Sequence, residues 1–198
     1  MGRFVNPNNN SFQVALNSPI YVDKTGLIAY TNSVLATMQG YICNSRPRRF
    51  GKSYAANMLT AYYSRGCDSE AMFAGLEISK SADFKKHLNK YDVIHIDVQW
   101  FLANCGDAAH VVAYITSSAL AELREIYPAA LPSEVSHFSD ALSRIREKTG
   151  QKFIIIIDEW DALIRNPATN SQVQDSYITF LRSMFKGTEP TKYILRLI

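Results

Sequence analysis

Residues 153–157 read Phe-Ile-Ile-Ile-Ile and run without a break into Asp158-Glu159-Trp160-Asp161. No polar residue alternates with the apolar ones, so neither face of this run suits water. A strand of that kind belongs in a sheet covered on both faces, and such sheets are built from parallel strands joined by helices. Further strand-length runs occur at 41–44, at 92–98 (Asp-Val-Ile-His-Ile-Asp-Val) and at 193–198. Stretches with helical spacing separate them, at about 26–38, 54–65, 107–126, 133–149 and 171–185. In the first of these, Leu27, Ile28, Val34, Leu35 and Met38 can share one face. Asp68 is placed to cap a short helix through Phe73 that ends at Gly75. The expected fold class is α/β, a three-layer sandwich with a mostly parallel sheet flanked by helices. The Asn- and Pro-rich start makes residues 1–17 a flexible lead-in to one domain at 18–198.

The stretch Ser45-Arg-Pro-Arg-Arg-Phe-Gly-Lys-Ser53 lies between the run at 41–44 and a helix. Strand, tight loop, Gly-Lys-Ser and helix is the construction of a phosphate-binding loop. The general pattern wants glycine at 46, where this chain has Arg46. Backbone N–H groups from Phe50 to Ser53, at a helix start, suit phosphate oxygens. Gly51 lets the backbone approach them closely, and Lys52 has the reach for the β- and γ-phosphates. The Ser53 hydroxyl is a ligand for Mg²⁺, and Asp158, at the end of a rigid buried strand, is a second holder of that ion. Glu159, next in sequence, has the chemistry to polarise an attacking water. Together these residues point to a nucleoside triphosphate and Mg²⁺ as ligands.

Plainer readings apply to their neighbours. Trp160 reads as a packing residue rather than a platform for a base. Asp161 either supports the site or serves as an exposed or helix-capping residue. Arg48 and Arg49 either touch phosphates or nucleic acid or form a solvated loop face. His95, in mid-strand, reads as a satisfied core histidine.

The net charge of +3 is too small to imply nucleic-acid binding by itself. Cys43, Cys67 and Cys105 form no CxxC pair, which argues against a zinc site or a disulfide framework and fits a cytoplasmic protein. The histidines make no metal-ligand spacing. No run reaches the length of a membrane span, and the polar start is not a signal peptide.

These residues resemble the AAA-ATPase-like domain of bacterial and archaeal proteins that commonly carry a C-terminal PD-(D/E)XK nuclease-like domain. The resemblance rests on Tyr21-Val-Asp-Lys-Thr25, Arg46-Pro-Arg-Arg-Phe-Gly-Lys-Ser53, Met72-Phe-Ala-Gly-Leu-Glu-Ile78 and Asp158-Glu-Trp-Asp161. Arg46 matches that family's own loop, and Trp160 stands where a tyrosine is usual. The resemblance implies a P-loop NTPase of the AAA/ASCE type, with Walker A and Walker B elements at the loop and the strand end. It implies ATP binding, with Mg²⁺-dependent hydrolysis in the intact parent. Arg48, Arg49, Phe50, Gly51, Lys52, Ser53 and Tyr54 then contact the nucleotide, with Lys52 and Glu159 catalytic. Asp23, Lys24 and Thr25 fall near it, although Asp23 also suits a helix cap.

By the same resemblance, the strand at 193–198 lies between the loop strand and the Asp-Glu strand. A sensor residue, a fifth strand, a helical lid and the nuclease-like domain would follow Ile198, so the chain reads as truncated at its C-terminus. Two other functions stay open. One is a non-hydrolysing, nucleotide-gated interaction module, and the other a nucleic-acid-binding part of a nuclease-associated defence or mobile-element system. Self-association is compatible with all three. The chain itself shows no nuclease motif, and no Asn/Thr-Lys-x-Asp motif favours GTP over ATP.

Overall fold

A computed structural model describes residues 2–37, 39–45 and 50–197. The expectations placed on Arg46, Arg48, Arg49, Met38 and Ile198 lie outside the described residues. The chain divides into two compact units. The first comprises residues 1–95, 154–156 and 195–198, and the second residues 96–153 and 157–194.

In chain order the helices of the first unit are α1 (Asn10–Leu16), α2 (Gly26–Ser33), α3 (Lys52–Tyr63), α4 (Glu70–Phe73) and α5 (Phe84–His87). A 3₁₀ turn at Glu77–Lys80 separates the last two. Strand β1 (Asp92–Asp97) follows, then α6 (Val98–Asn104), α7 (Val111–Ile126) and α8 (Phe138–Thr149). Strand β2 (Phe153–Asp158), α9 (Ala162–Arg165), α10 (Ser171–Phe185), α11 (Pro190–Tyr193) and β3 (Ile194–Leu197) complete the described chain. The strands form a small parallel sheet in the order β1-β2-β3, flanked by helices. Its central strand is the one that carries the isoleucines, and residues 153–156 are all buried. No helix among the described residues is long and apolar enough to cross a membrane.

The core of the first unit is strongly aromatic. Phe12 stacks on Phe73 at 5.0 Å between ring centres, and Tyr62 meets Phe73 edge-on at 5.5 Å. Each fully buried ring of this kind removes enough apolar surface from water to contribute about 2–3 kcal/mol. Helix α3 is buried along nearly its whole length, from Ala55 to Tyr63 except Asn57. Its two buried tyrosines, Tyr62 and Tyr63, therefore need partners for their hydroxyls, and α2 supplies them. Asn32 donates to the Tyr62 oxygen at 3.0 Å and accepts from Tyr63 at 2.7 Å. The Thr31 and Tyr63 hydroxyls lie 2.6 Å apart. The Tyr62 hydroxyl donates to the Phe84 carbonyl at 2.8 Å. Burial pushes the Tyr62 hydroxyl up to about 12, so it stays a donor at physiological pH. His95 has Nδ1 3.0 Å from the Thr60 hydroxyl, the partner expected for it, but it is half-buried rather than in the core.

The residues read above as a flexible lead-in carry ordered structure instead. Val5 bridges Ile94 in an antiparallel sense. Asn6 donates to the fully buried Asp92 at 2.8 Å and accepts from the Val93 N–H at 2.9 Å. Arg65 lies 3.3 Å from the same carboxylate. Phe12 and Ala15, three positions apart, bury one face of α1, which packs against α3. Apolar burial and a buried acid outweigh the polar composition here.

Five other expectations shift. The run at 41–44 is not a strand: only Tyr41 makes a bridge, and Tyr41, Cys43 and Asn44 are exposed, so little burial holds the segment extended. Helix α2 stops at Ser33 because the chain tightens into three-residue turns and Ala36 takes a positive φ of 58°. Ser69, not Asp68, precedes α4, and its N–H goes to the Asn89 side chain. In the second unit α8 starts at Phe138 rather than 133, since Arg124 takes the Ser133 and Val135 carbonyls at 3.2 and 2.6 Å. The run 92–98 divides at Asp97, whose carboxylate caps α6 by accepting the Trp100 N–H at 3.0 Å.

Candidate functional site

Helix α3 begins where the phosphate-loop pattern places a helix. Gly51 stands just before it with φ 75°, the left-handed region that glycine enters without steric cost. The first backbone bond of the helix runs from Ala55 N–H to the Gly51 carbonyl at 3.1 Å. The N–H groups of Ser53 and Tyr54 lie ahead of that bond, and they point out along the helix axis as at any helix start. Ser53, Tyr54 and Phe50 are exposed, and Lys52 is half-buried.

The segment 21–25 reaches this turn. Lys24 Nζ donates to the Phe50 carbonyl at 2.8 Å. A Cβ at position 51 would stand 2.6 Å from that nitrogen, so glycine is also what lets the ammonium lie there. The residues either side of Lys24 fix its base. Asp23 accepts from the Thr25 N–H at 2.8 Å, the Thr25 hydroxyl at 2.7 Å and the Glu77 N–H at 2.7 Å. Thr25 is buried, and its hydroxyl oxygen accepts the Ile78 N–H at 3.1 Å. Partial burial works to raise the Asp23 carboxyl, but the hydrogen bonds from Thr25 and Glu77 and the charge of Lys80 outweigh it and hold the group below its usual range. Asp23 and Thr25 thus tie the start of α2 to the 3₁₀ turn, while Lys24 lies at the loop. The geometry brings Lys24, Phe50 and Gly51 together.

Asp158 and Glu159 belong to the second unit. Asp158 ends β2 half-buried and accepts the Glu159 N–H at 3.0 Å. Glu159 adopts φ 50°, a left-handed conformation that costs a residue with a side chain of order 1 kcal/mol. Arg165 Nη2 lies 2.6 Å from Glu159 Oε2 and 3.0 Å from Asp161 Oδ1, and its Nε lies 2.6 Å from Asp161 Oδ2. Tyr177 donates to the Trp160 carbonyl at 2.7 Å, and burial pushes its hydroxyl far above the usual range, so it remains a donor. Trp160 is 45% exposed, which corrects the packing role expected for it. Asp161 sits before α9, but its carboxylate goes to Arg165 and makes no cap.

Arg165 and Tyr177 were not among the residues singled out from the sequence. The four-residue spacing of Asp161 and Arg165 is a signal for the first, since an acid and a base so spaced on a helix face one another. Nothing local marks Tyr177. Among the described residues no three His, Cys, Asp or Glu side chains gather as a metal cage.

The family model for predicted AAA-ATPases, the AAA-ATPase-like family, matches residues 10–198, and the chain belongs to that family. No curated protein and no solved structure matches it.

Proposed function

We propose that this chain binds ATP at the start of α3 and, with Mg²⁺, hydrolyses it. The observation that carries the reading is the left-handed Gly51 set directly before an N-terminal Lys52-Ser53 turn of a long buried helix. Family membership supports an ATPase-like domain around it. Phosphate oxygens would accept from the N–H groups of residues 51–54 and from Lys52, whose charge offsets theirs. Lys24 adds a second ammonium at the same turn, and Phe50 and Tyr54 offer exposed rings beside it.

Mg²⁺ takes oxygen ligands and keeps several of its waters, so one hydroxyl and one carboxylate are a sufficient protein contribution. The exposed Ser53 hydroxyl and the half-buried Asp158 carboxylate fit that donor chemistry. The ion would neutralise charge on the transferring phosphoryl group. Glu159 would polarise the attacking water. Nucleic-acid binding through Arg46, Arg48 and Arg49, and association with a nuclease-like domain, remain proposals from the sequence.

Phosphate release under saturating Mg-ATP tests the hydrolytic half. Glu159→Gln should bind a fluorescent ATP analogue as the wild type does and lose about 10²–10⁴-fold in turnover. Turnover equal to wild type would remove Glu159 from its role.

A further inference from the structure

The turn from Asp158 to Asp161 is held at each residue. The Asp158 carboxylate takes the next N–H, Glu159 takes Arg165, the Trp160 carbonyl takes Tyr177, and Asp161 takes Arg165. Arg165 is central to this arrangement. Asp161 grips its guanidinium at two points, Nε to Oδ2 and Nη2 to Oδ1, which fixes the orientation of the planar group. The Nη2 that remains in reach of Glu159 is therefore aimed by Asp161. Glu159 is bound through Oε2 alone, and no hydrogen bond from a described residue engages Oε1. A carboxylate with one oxygen tethered and the other available has a fixed direction in which to accept a proton or orient a water.

We infer that Arg165, aimed by Asp161, is the positioning residue that sets the Glu159 carboxylate for its work on water. The inference rests on the proposed hydrolytic role of Glu159. Stability is a poor reason for the arrangement. Both side chains of the Arg165–Glu159 pair are about a third exposed, and pairs so open to water contribute little to stability. Glu159 also holds a left-handed backbone to take part. A weak pair built on a strained residue gains its value from geometry, because a catalytic group held within a fraction of an ångström loses rate steeply when it is released.

Steady-state phosphate release and equilibrium binding of a fluorescent ATP analogue, on one preparation of each variant, decide the matter. Arg165→Met should lower kcat by about 10- to 100-fold while KM for ATP and analogue affinity stay within about twofold. Arg165→Lys, which keeps the charge but not the fork, should recover part of that loss. Asp161→Asn should fall between wild type and Arg165→Met, and it decides the case if Arg165→Met does not fold. If wild type hydrolyses ATP, Glu159→Gln does not, and both Arg165→Met and Asp161→Asn match wild type, the positioning role is overturned and the hydrolytic reading stands. A rise in kcat in Arg165→Met also overturns it, because Arg165 would then restrain Glu159. If wild type shows no Mg-ATP turnover, the hydrolytic reading fails and this inference fails with it.

Discussion

The turns at Gly51 and Glu159 both take a left-handed backbone beside a charged side chain, and they reach it differently. At the start of α3 the residue is Gly51, which adopts φ 75° freely. At the end of β2 the residue is Glu159, which adopts φ 50° against its own Cβ. The first conformation is written locally, in the choice of residue. The second is imposed by partners further along the chain, Arg165 and Tyr177. A glycine can be read from the sequence as a turn, whereas a glutamate turn tied down by an arginine on Glu159 and a tyrosine on Trp160 cannot.

Removing the support beneath the first turn gives the largest expected effect. Asn32 is buried and joins α2 to Tyr62 and Tyr63 of α3, so Asn32→Ala leaves polar groups unmatched in the core. Denaturant unfolding should show a loss of about 2 kcal/mol. A loss under a few tenths would mean that α3 does not depend on this network. Exchanging the two turn residues probes the contrast itself. Gly51→Ala forces a side chain into the left-handed region and displaces Lys24, for an expected loss of about 1 kcal/mol. Glu159→Gly relieves that backbone conformation but adds freedom to the unfolded chain, so its stability should change by less than about 0.5 kcal/mol. Equal losses in the two variants would erase the distinction between a local and an imposed turn.

The smallest effect is the pH dependence of Asp23. Its folded carboxyl titrates below its unfolded value, so its charge contributes stability above about pH 4, and that contribution is lost as pH falls through the lowered folded value. Thermal melts of wild type and Asp23→Asn should therefore differ at neutral pH and converge in acid. A gap that widens in acid would show that the sign is wrong.

What could be read from the sequence follows the same division. The isoleucine run and the helix at 171–185 carry their burial pattern in consecutive residues, and the structure has them at Phe153–Asp158 and Ser171–Phe185. The amino-terminal residues looked unstructured because their anchor is distant: Asn6 bonds to Asp92, 86 positions away. The run at 41–44 looked like a strand by composition, yet its exposed residues leave only Tyr41 bridged. At the site, Gly51, Lys52 and Ser53 stood out as a motif. Lys24 came only through family resemblance, and Arg165 and Tyr177 emerged only from the folded chain.

The central claim is that the turn opening α3 binds the phosphates of a nucleotide. Equilibrium titration of a fluorescent ATP analogue into wild type and Lys52→Ala tests it most directly. Loss of a charge-assisted contact should weaken binding by about 10- to 100-fold in a variant that melts like wild type. Equal affinity in the two proteins would contradict the account.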